Sequence, residues 1–235
     1  MPQLIAMIII VVGAMIYMFQ TFGGTGDKIT GVAQKTSVIT EIQNIKSGLQ
    51  FAARDKKIVE TNPNTDPAKG ELTFNTLSGL ASESYFAEQV NNQLNKIQES
   101  GNSLTIPTNM AKENIYNAIS FGGSNTDKGG MVLALVAKKD KVPGIFVDLN
   151  FDGSTLKDTA GFLESQIAND LKGIAYIDRN ATTPTAGTVT TGLDTDLGKA
   201  TADKIPGYTA ATNGSDKDGK FIIYFYDFAS SEVVK

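Results

Sequence analysis

The chain has 235 residues, a formal net charge of −4 and no cysteine, histidine or tryptophan. This length allows a membrane segment plus one domain of about 150–200 residues. Lack of cysteine and histidine excludes disulfides and removes the usual zinc ligands and the commonest general base. The modest charge provides no large basic field for nucleic acid. We therefore expect no zinc site, no nucleic-acid recognition and no enzyme activity.

The sequence opens with an apolar run, since no charged side chain occurs from Leu4 to Phe19. About 20 residues span a bilayer as a helix, and the stretch from Met1 to Phe22 reaches that length. Tyr17 and Phe22 lie near one end, where aromatic side chains favour the membrane interface. Two other interpretations of the run are open. A signal peptide would need a basic segment before it, and a buried core helix is rarely apolar on every side in a domain of this size. A membrane-resident helix is the prediction that the composition favours.

A glycine-rich joint separates this run from an amphipathic segment. Gly23, Gly24 and Gly26 each weaken a helix by about 1 kcal/mol relative to alanine. Asp27 is placed to cap the helix that follows. Apolar or small residues then recur at gaps of three and four, which predicts one helical stripe. The stripe consists of Val32, Thr36, Ile39, Ile42, Ile45, Leu49 and Ala52.

The rest of the chain alternates short apolar runs with helical patterns. Two stretches, 82–98 and 154–172, have apolar residues at helical spacing. Thr155 and Asp158 form a capping box at the start of the second. Strands are predicted from short apolar or β-branched runs bounded by turn residues. These runs are 131–137, 144–149, 174–178 and 220–228.

Together these elements predict an α+β protein. A long N-terminal helix, with an apolar half and an amphipathic half, packs on a C-terminal domain that contains a mainly antiparallel sheet and additional helices. The predicted divisions are an apolar helix with its glycine joint at 1–26, the amphipathic continuation at 27–60 and a globular head at 61–235.

This organisation resembles the type IV pilins, and the start at Met1 is most like the type IVb class. The resemblance implies that a basic leader is cut off, so that Met1 is the processed, methylated N-terminus of a major pilin. It also implies an inner-membrane-anchored precursor, the pilus assembly machinery of that membrane as a partner, and an extracellular filament formed by the chain with itself. The filament core implied by the resemblance contains Leu4, Ile5, Ile8, Val11, Val12, Gly13, Met15, Ile16 and Phe19.

The chain departs from the pilin pattern at three points. Pilins usually have glutamate at the fifth mature position, whereas this chain has Ile5. They commonly have proline near position 22, where this chain has glycines at 23, 24 and 26. Type IVb pilins usually tie a helix of the C-terminal half to the C-terminal end by a disulfide. With zero cysteines, packing alone is expected to hold these parts together here.

Two other functions fit the same pattern. The first is a single-pass membrane-anchored periplasmic or surface binding domain that stays monomeric. The second is a minor pseudopilin of a secretion system, which would share the apolar helix. A filament is favoured because apolar helices that leave the lipid must bury their surface against neighbours, and burial gains about 25 cal/mol per Å².

One loop has the composition of a cation site. Asp148, Asn150 and Asp152, followed by Gly153, match the first half of a calcium loop, which needs oxygens at alternating positions and glycine at the sharp turn. The twelfth position of such a loop is a bidentate glutamate, but here it is Thr159. The other interpretation is an ordinary turn after a strand. Calcium is the one cofactor that the sequence suggests.

Overall fold

A computed structural model describes residues 31–61, 72–88, 90, 116–117, 131–151, 154–187, 204–207 and 216–235. Within these ranges the chain is α+β, with helices and one antiparallel sheet, as predicted. The predicted apolar helix and joint at 1–26, with Met1, the filament-core residues and the joint glycines, lie outside the described residues. In the part of the chain described here, no helix is both long and apolar enough to cross a membrane.

The first described helix, α1, covers 31–54 and buries one face in the head. Buried positions recur at gaps of three and four, as the helical repeat requires. They include Val38, Ile42, Ile45, Leu49, Ala52 and Ala53. Beyond the helix, the backbone of Lys56 has a φ of 58°. The helix therefore ends before the predicted limit at 60, since a residue with positive φ cannot continue it.

The predicted stripe on α1 is correct from Ile42 to Ala52 and wrong at its beginning. Val32 is 60 % exposed and Thr36 is exposed as well. Residues on a helix are about 100° apart, so each gap of three rotates a stripe by about 60°. Three such gaps follow one another between Thr36 and Ile45. The predicted stripe therefore lies on the buried side of α1 at Ile45 but on the solvent side at Val32 and Thr36.

The sheet contains five strands within the described residues, in the order β1-β2-β3-β5-β4, and each pairing is antiparallel. The four predicted strands are confirmed as β2 to β5. The last strand in the sequence lies between the third and the fourth, an order that no sequence pattern indicated. The strands are β1 Tyr116–Asn117, β2 Val132–Val136, β3 Gly144–Asp148, β4 Ala175–Asp178 and β5 Lys220–Phe225.

The centre of the sheet is buried on both sides. Each residue of β2 and β3 is buried, and a strand that is buried at consecutive positions must be covered on both faces. Ile223 of β5 lies opposite Ile145 of β3 and shares its face with Phe225. The Lys46 ammonium of α1 lies 4.9 Å from the centroid of the Phe225 ring. Helix α1 therefore packs over this face.

Two further helices have both ends within the described residues. Helix α2, Leu77–Ser82, begins after Thr76, whose hydroxyl accepts a hydrogen bond from the Gly79 amide at 3.2 Å. The predicted helix at 82–98 does not begin at Ser82, which ends α2. Glu88 and Val90 are helical, in agreement with the prediction, and residues 91–98 lie outside the described residues. Helix α3, Ala160–Leu171, follows a 3-10 turn at Lys157–Thr159.

The capping box predicted for α3 is wrong. The residue that precedes the helix is Thr159, and its side chain makes no capping hydrogen bond. Instead, Ser154 stabilises a turn before the helix. Its hydroxyl accepts a hydrogen bond from the Leu156 amide at 3.1 Å and donates one to the Leu149 carbonyl at 2.7 Å. Asp158 lies within the 3-10 turn and Thr155 lies before it, so neither residue is placed to cap α3.

Candidate assembly surface

The solvent side of α1 has an unusual composition. No exposed residue on it is charged between Val32 and Phe51, and Arg54 is the first exposed charge. Helices that face water usually carry charged residues on that side. We call this surface the outer face. It consists of Val32, Ala33, Thr36, Thr40, Gln43, Asn44, Ser47 and Phe51.

Hydroxyl groups on the outer face are already hydrogen-bonded within the helix. Thr36 donates to the Val32 carbonyl and Thr40 to the Thr36 carbonyl, both at 2.9 Å. Ser47 donates to the Gln43 carbonyl at 3.0 Å. Serine and threonine within helices commonly form such bonds to the carbonyl of the preceding turn. These three donors would therefore keep a partner if the outer face were covered.

The two lysines of α1 before Arg54 lie beside the outer face, not on it, and Glu41 is half-buried. Lys35 forms an ion pair of 2.6 Å with Asp170 of α3, and its side chain is 21 % exposed. Lys46 pairs with Asp227 and lies over the Phe225 ring, as described above. Both ammonium groups thus turn toward the head, and the outer face itself stays uncharged.

The last ten residues, 226–235, fasten α1 to the head, and we call them the C-terminal tail. Besides the pair formed by Asp227, Glu232 accepts hydrogen bonds from Arg54 at 3.2 and 3.3 Å. The Lys235 amide donates to the Ile58 carbonyl at 2.9 Å, just beyond the helix. The tail also reaches the sheet side, where the Val234 amide donates to the Lys141 carbonyl at 2.9 Å. Contacts along the C-terminal half of α1 therefore fix the helix to the head.

A buried carboxylate connects α3 with two neighbouring segments. Glu164 is fully buried, and its Oε1 accepts a hydrogen bond of 2.7 Å from the Arg179 Nε that follows β4. Its Oε2 accepts the amide of Gly219, just before β5, at 2.8 Å. Burial raises the pKa of Glu164, although Arg179 and the Gly219 amide oppose this effect. Polar contacts therefore add to packing where α3 meets the segment that leads into β5.

The sequence contained a signal for Glu164 that the strand and helix patterns did not use. Ala160, Leu163 and Ile167 form the buried stripe of α3, and Glu164 lies four residues after the first of them. A charged residue inside an apolar helical stripe must find a partner in the core. The partner itself could not be read from the sequence, because Arg179 approaches only through the fold.

The described part of the predicted calcium loop forms a turn that the protein's own groups hold. Asp148 Oδ1 accepts the Asn150 amide at 2.8 Å, and Asn150 Nδ2 donates to the Asp218 carbonyl at 3.0 Å. The Lys220 ammonium lies 3.8 Å from the other oxygen of Asp148. Burial is the main cause that raises the pKa of Asp148, against the hydrogen bond from Asn150.

Asp152, the third predicted calcium ligand, lies outside the described residues. Among the residues that the structure does describe, no three acidic, histidine or cysteine side chains form a group able to hold a metal ion. Because Asp152 is not among these residues, calcium binding at this loop stays a prediction.

Comparison of the chain with protein-family models, curated proteins and solved structures found no match. The functional interpretation therefore depends on the sequence pattern and on the surfaces described above.

Proposed function

We propose that this chain is the structural subunit of an extracellular type IV pilus-like filament that polymerises through its hydrophobic N-terminal helix. One observation carries the proposal. Helix α1, which packs on the sheet by its inner face, follows in sequence a stretch from Leu4 to Phe19 without a single charge. The head is thus attached to α1, and the uncharged stretch that precedes α1 in the sequence is suited to burial among copies of itself.

In this proposal each region has a distinct task. The apolar segment anchors the precursor in the inner membrane, and the assembly machinery there removes a leader and exposes Met1. The segment then leaves the lipid and lies in the filament core with its copies, while the head covers the outside. The function is structural and requires no catalytic group or cofactor.

The contacts of α1 with the head support this division. Full burial of an aliphatic side chain contributes about 1.5–3 kcal/mol, and the inner face buries Ile42, Ile45 and Leu49 completely. The C-terminal tail adds polar contacts at Lys46 and Arg54 along the same helix. A force applied to the N-terminal segment would therefore be transmitted to the head through α1.

Electron microscopy of material sheared from expressing cells tests the filament. We expect fibres whose subunit has the mass of this chain, and no fibres from a Val12→Lys variant, because a charge in the core would be buried without a partner. Thr155→Lys, at an exposed position of the head, is the matched control that should keep its fibres. A chain that is purified only as a detergent-bound monomer and never occurs outside cells would instead favour the anchored binding domain.

The mass of the N-terminal peptide tests the processing step independently. We expect a methylated amine at Met1. An unmodified Met1 in fibres of this chain would refute processing by a leader peptidase while leaving the filament itself in place.

The glycine joint offers a mechanical test. Replacing Gly23, Gly24 and Gly26 by alanine raises helix propensity by about 1 kcal/mol at each position. We expect stiffer fibres or blocked assembly, measured as extension under load or as fibre yield. Fibres that form and stretch like the parent would contradict a role for the joint.

A further inference from the structure

The turn after β4 contains an acceptor motif for N-linked glycosylation. Asn180-Ala181-Thr182 fits the pattern of asparagine, any residue except proline, and then serine or threonine. It begins two residues after β4 ends at Asp178. Such a short motif occurs in many chains, so its structural setting decides whether an enzyme can use it. The sequence has one further match, Asn213-Gly214-Ser215, which lies outside the described residues.

The motif lies in a surface turn that is held by burial of its middle residue. Ala181 is 1 % exposed, whereas Asn180 and Thr182 on either side of it are partly exposed. The Asn180 backbone amide donates to Asp178 Oδ1 at 3.1 Å, which closes the turn directly after the strand. Neither Asn180 nor Thr182 belongs to a helix or a strand. An enzyme can therefore reach the acceptor side chain without disrupting the sheet.

The reactive groups of the motif are not used by the fold. Within the described part of the chain, neither the Asn180 side-chain nitrogen nor the Thr182 hydroxyl donates a hydrogen bond. The side chain of Asn150 differs, since its Nδ2 donates to the Asp218 carbonyl at 3.0 Å. A sugar attached to Asn180 would therefore break no hydrogen bond that the side-chain nitrogen donates to a described residue.

We propose that Asn180 carries an N-linked glycan, transferred from an oligosaccharide that is attached to a membrane lipid through pyrophosphate. In this step a bond forms between Asn180 Nδ2 and the anomeric carbon of the first sugar. The bond between that carbon and the pyrophosphate oxygen breaks, and the lipid pyrophosphate leaves with the bonding electrons. Nδ2 loses one proton, and no group is oxidised or reduced. The motif also requires the Thr182 hydroxyl, which is available to the enzyme at the surface.

The position of the motif suits a chain whose head lies outside the cell. Acceptor motifs of this kind are used on surface loops of secreted proteins, so the inference rests on the proposed function, which places the head there. Strand β4 is the outermost strand at its end of the described sheet. Outermost strands can pair with strands of other molecules, and a bulky, hydrophilic glycan two residues beyond β4 would hinder such pairing.

Peptide mass spectrometry of fibres from cells that naturally produce this chain tests the modification. We expect the tryptic peptide 180–199 to carry the added mass of sugars, and fragmentation that preserves the glycosidic bond to place this mass on Asn180. Asn180→Gln should abolish the added mass. Thr182→Val should abolish it too, although the asparagine is still present, whereas Thr182→Ser retains a hydroxyl and should keep the sugars. Each variant is also isolated from membranes, so that loss of fibres does not prevent the measurement.

Thr183→Val and Asn213→Gln are the matched controls, since one removes the neighbouring hydroxyl and the other removes the second motif. Both should keep the sugars on Asn180. An unmodified Asn180 in fibres of the parent chain would overturn the inference while the filament proposal stands. Sugars that persist in Asn180→Gln or Thr182→Val would overturn it as well, because they would not depend on the motif. A chain that carries the glycan on Asn180 but never forms fibres would instead refute the proposed function alone.

Discussion

Helices α1 and α3 both pack on the head, but they place charge in opposite ways. Helix α3 carries Glu164 within its buried stripe, where Arg179 and the Gly219 amide bind the carboxylate. Helix α1 buries only uncharged residues, and its solvent side is uncharged as well until Arg54. The contacts of Glu164 hold α3, the end of β4 and the start of β5 in one arrangement. The outer face of α1 has no charged group that would require a partner in a fixed position.

The difference separates two uses of a helix surface. A buried ion pair needs a defined geometry, because each unsatisfied group would be strongly unfavourable. An uncharged face with satisfied hydroxyls can be covered or uncovered with little change in hydrogen bonding. The contacts of Glu164 therefore define how α3 and its neighbours are arranged, while α1 packs on the head by its buried residues and leaves its outer face exposed to solvent.

The largest expected effect comes from the inner face of α1. Ile45 is fully buried, so Ile45→Ala should lower the free energy of unfolding by about 3 kcal/mol through lost burial and a cavity. Asn44→Ala, one residue away on the outer face, should change it by less than about 0.5 kcal/mol. Urea unfolding of the full chain in detergent measures both. Equal effects of the two variants would mean that the two faces of α1 do not differ as described.

A somewhat smaller effect is expected for the buried charge of α3. Glu164→Ala leaves the Arg179 guanidinium and the Gly219 amide without their acceptor, which should destabilise the head by about 2–3 kcal/mol. Glu164→Gln retains one acceptor oxygen and should lose less. The same unfolding measurement compares the two variants. If Glu164→Ala were neutral, the carboxylate would not connect the three segments energetically.

Local patterns in the sequence were sufficient to identify four of the five strands, but not β1 at Tyr116–Asn117. The apolar runs around Leu133, Phe146 and Ile222 contain β-branched and aromatic residues between turn signals, and each forms a strand of the sheet. Their order could not be predicted, because the position of β5 between β3 and β4 depends on long-range packing. The same limit applies to Arg179, whose approach to Glu164 is a consequence of that order.

The predicted stripe on α1 failed for a reason visible in the sequence. Counting gaps of three and four does not detect the rotation that successive gaps of three produce, and Val32 and Thr36 were therefore assigned to the wrong side. A helical projection of 31–54 would have separated the inner residues from the uncharged outer face. It would not have revealed the hydrogen bonds that the Thr36 and Thr40 hydroxyls donate, because these depend on the side-chain rotamers.

The pH dependence of stability should distinguish the buried carboxylate of α3 from exposed ones. Because burial raises the pKa of Glu164 above its ordinary value of 4.5, the folded protein binds more protons than the unfolded chain from pH 4.5 up to the raised value. The contribution of this group to stability is complete below pH 4.5 and is lost as the pH rises through the folded-state pKa. Glu164→Gln should remove this decline.

Unfolding free energies of the parent and Glu164→Gln between pH 4 and pH 8 measure that difference. Asp148, whose pKa is also raised, contributes in the same direction to both proteins and cancels in the comparison. Identical pH profiles for the two proteins would show that the Glu164 carboxylate titrates as it does in the unfolded chain.

The smallest expected effect concerns the lysines that flank the outer face. Lys46→Met keeps most of the apolar stem over Phe225 but removes the pair with Asp227, whose side chain is 52 % exposed. Partly exposed pairs contribute about 1 kcal/mol or less, so the head should remain almost as stable. A double-mutant cycle with Asp227→Asn measures the coupling between the two groups. A coupling free energy well above about 1 kcal/mol would contradict the description of this pair as partly exposed.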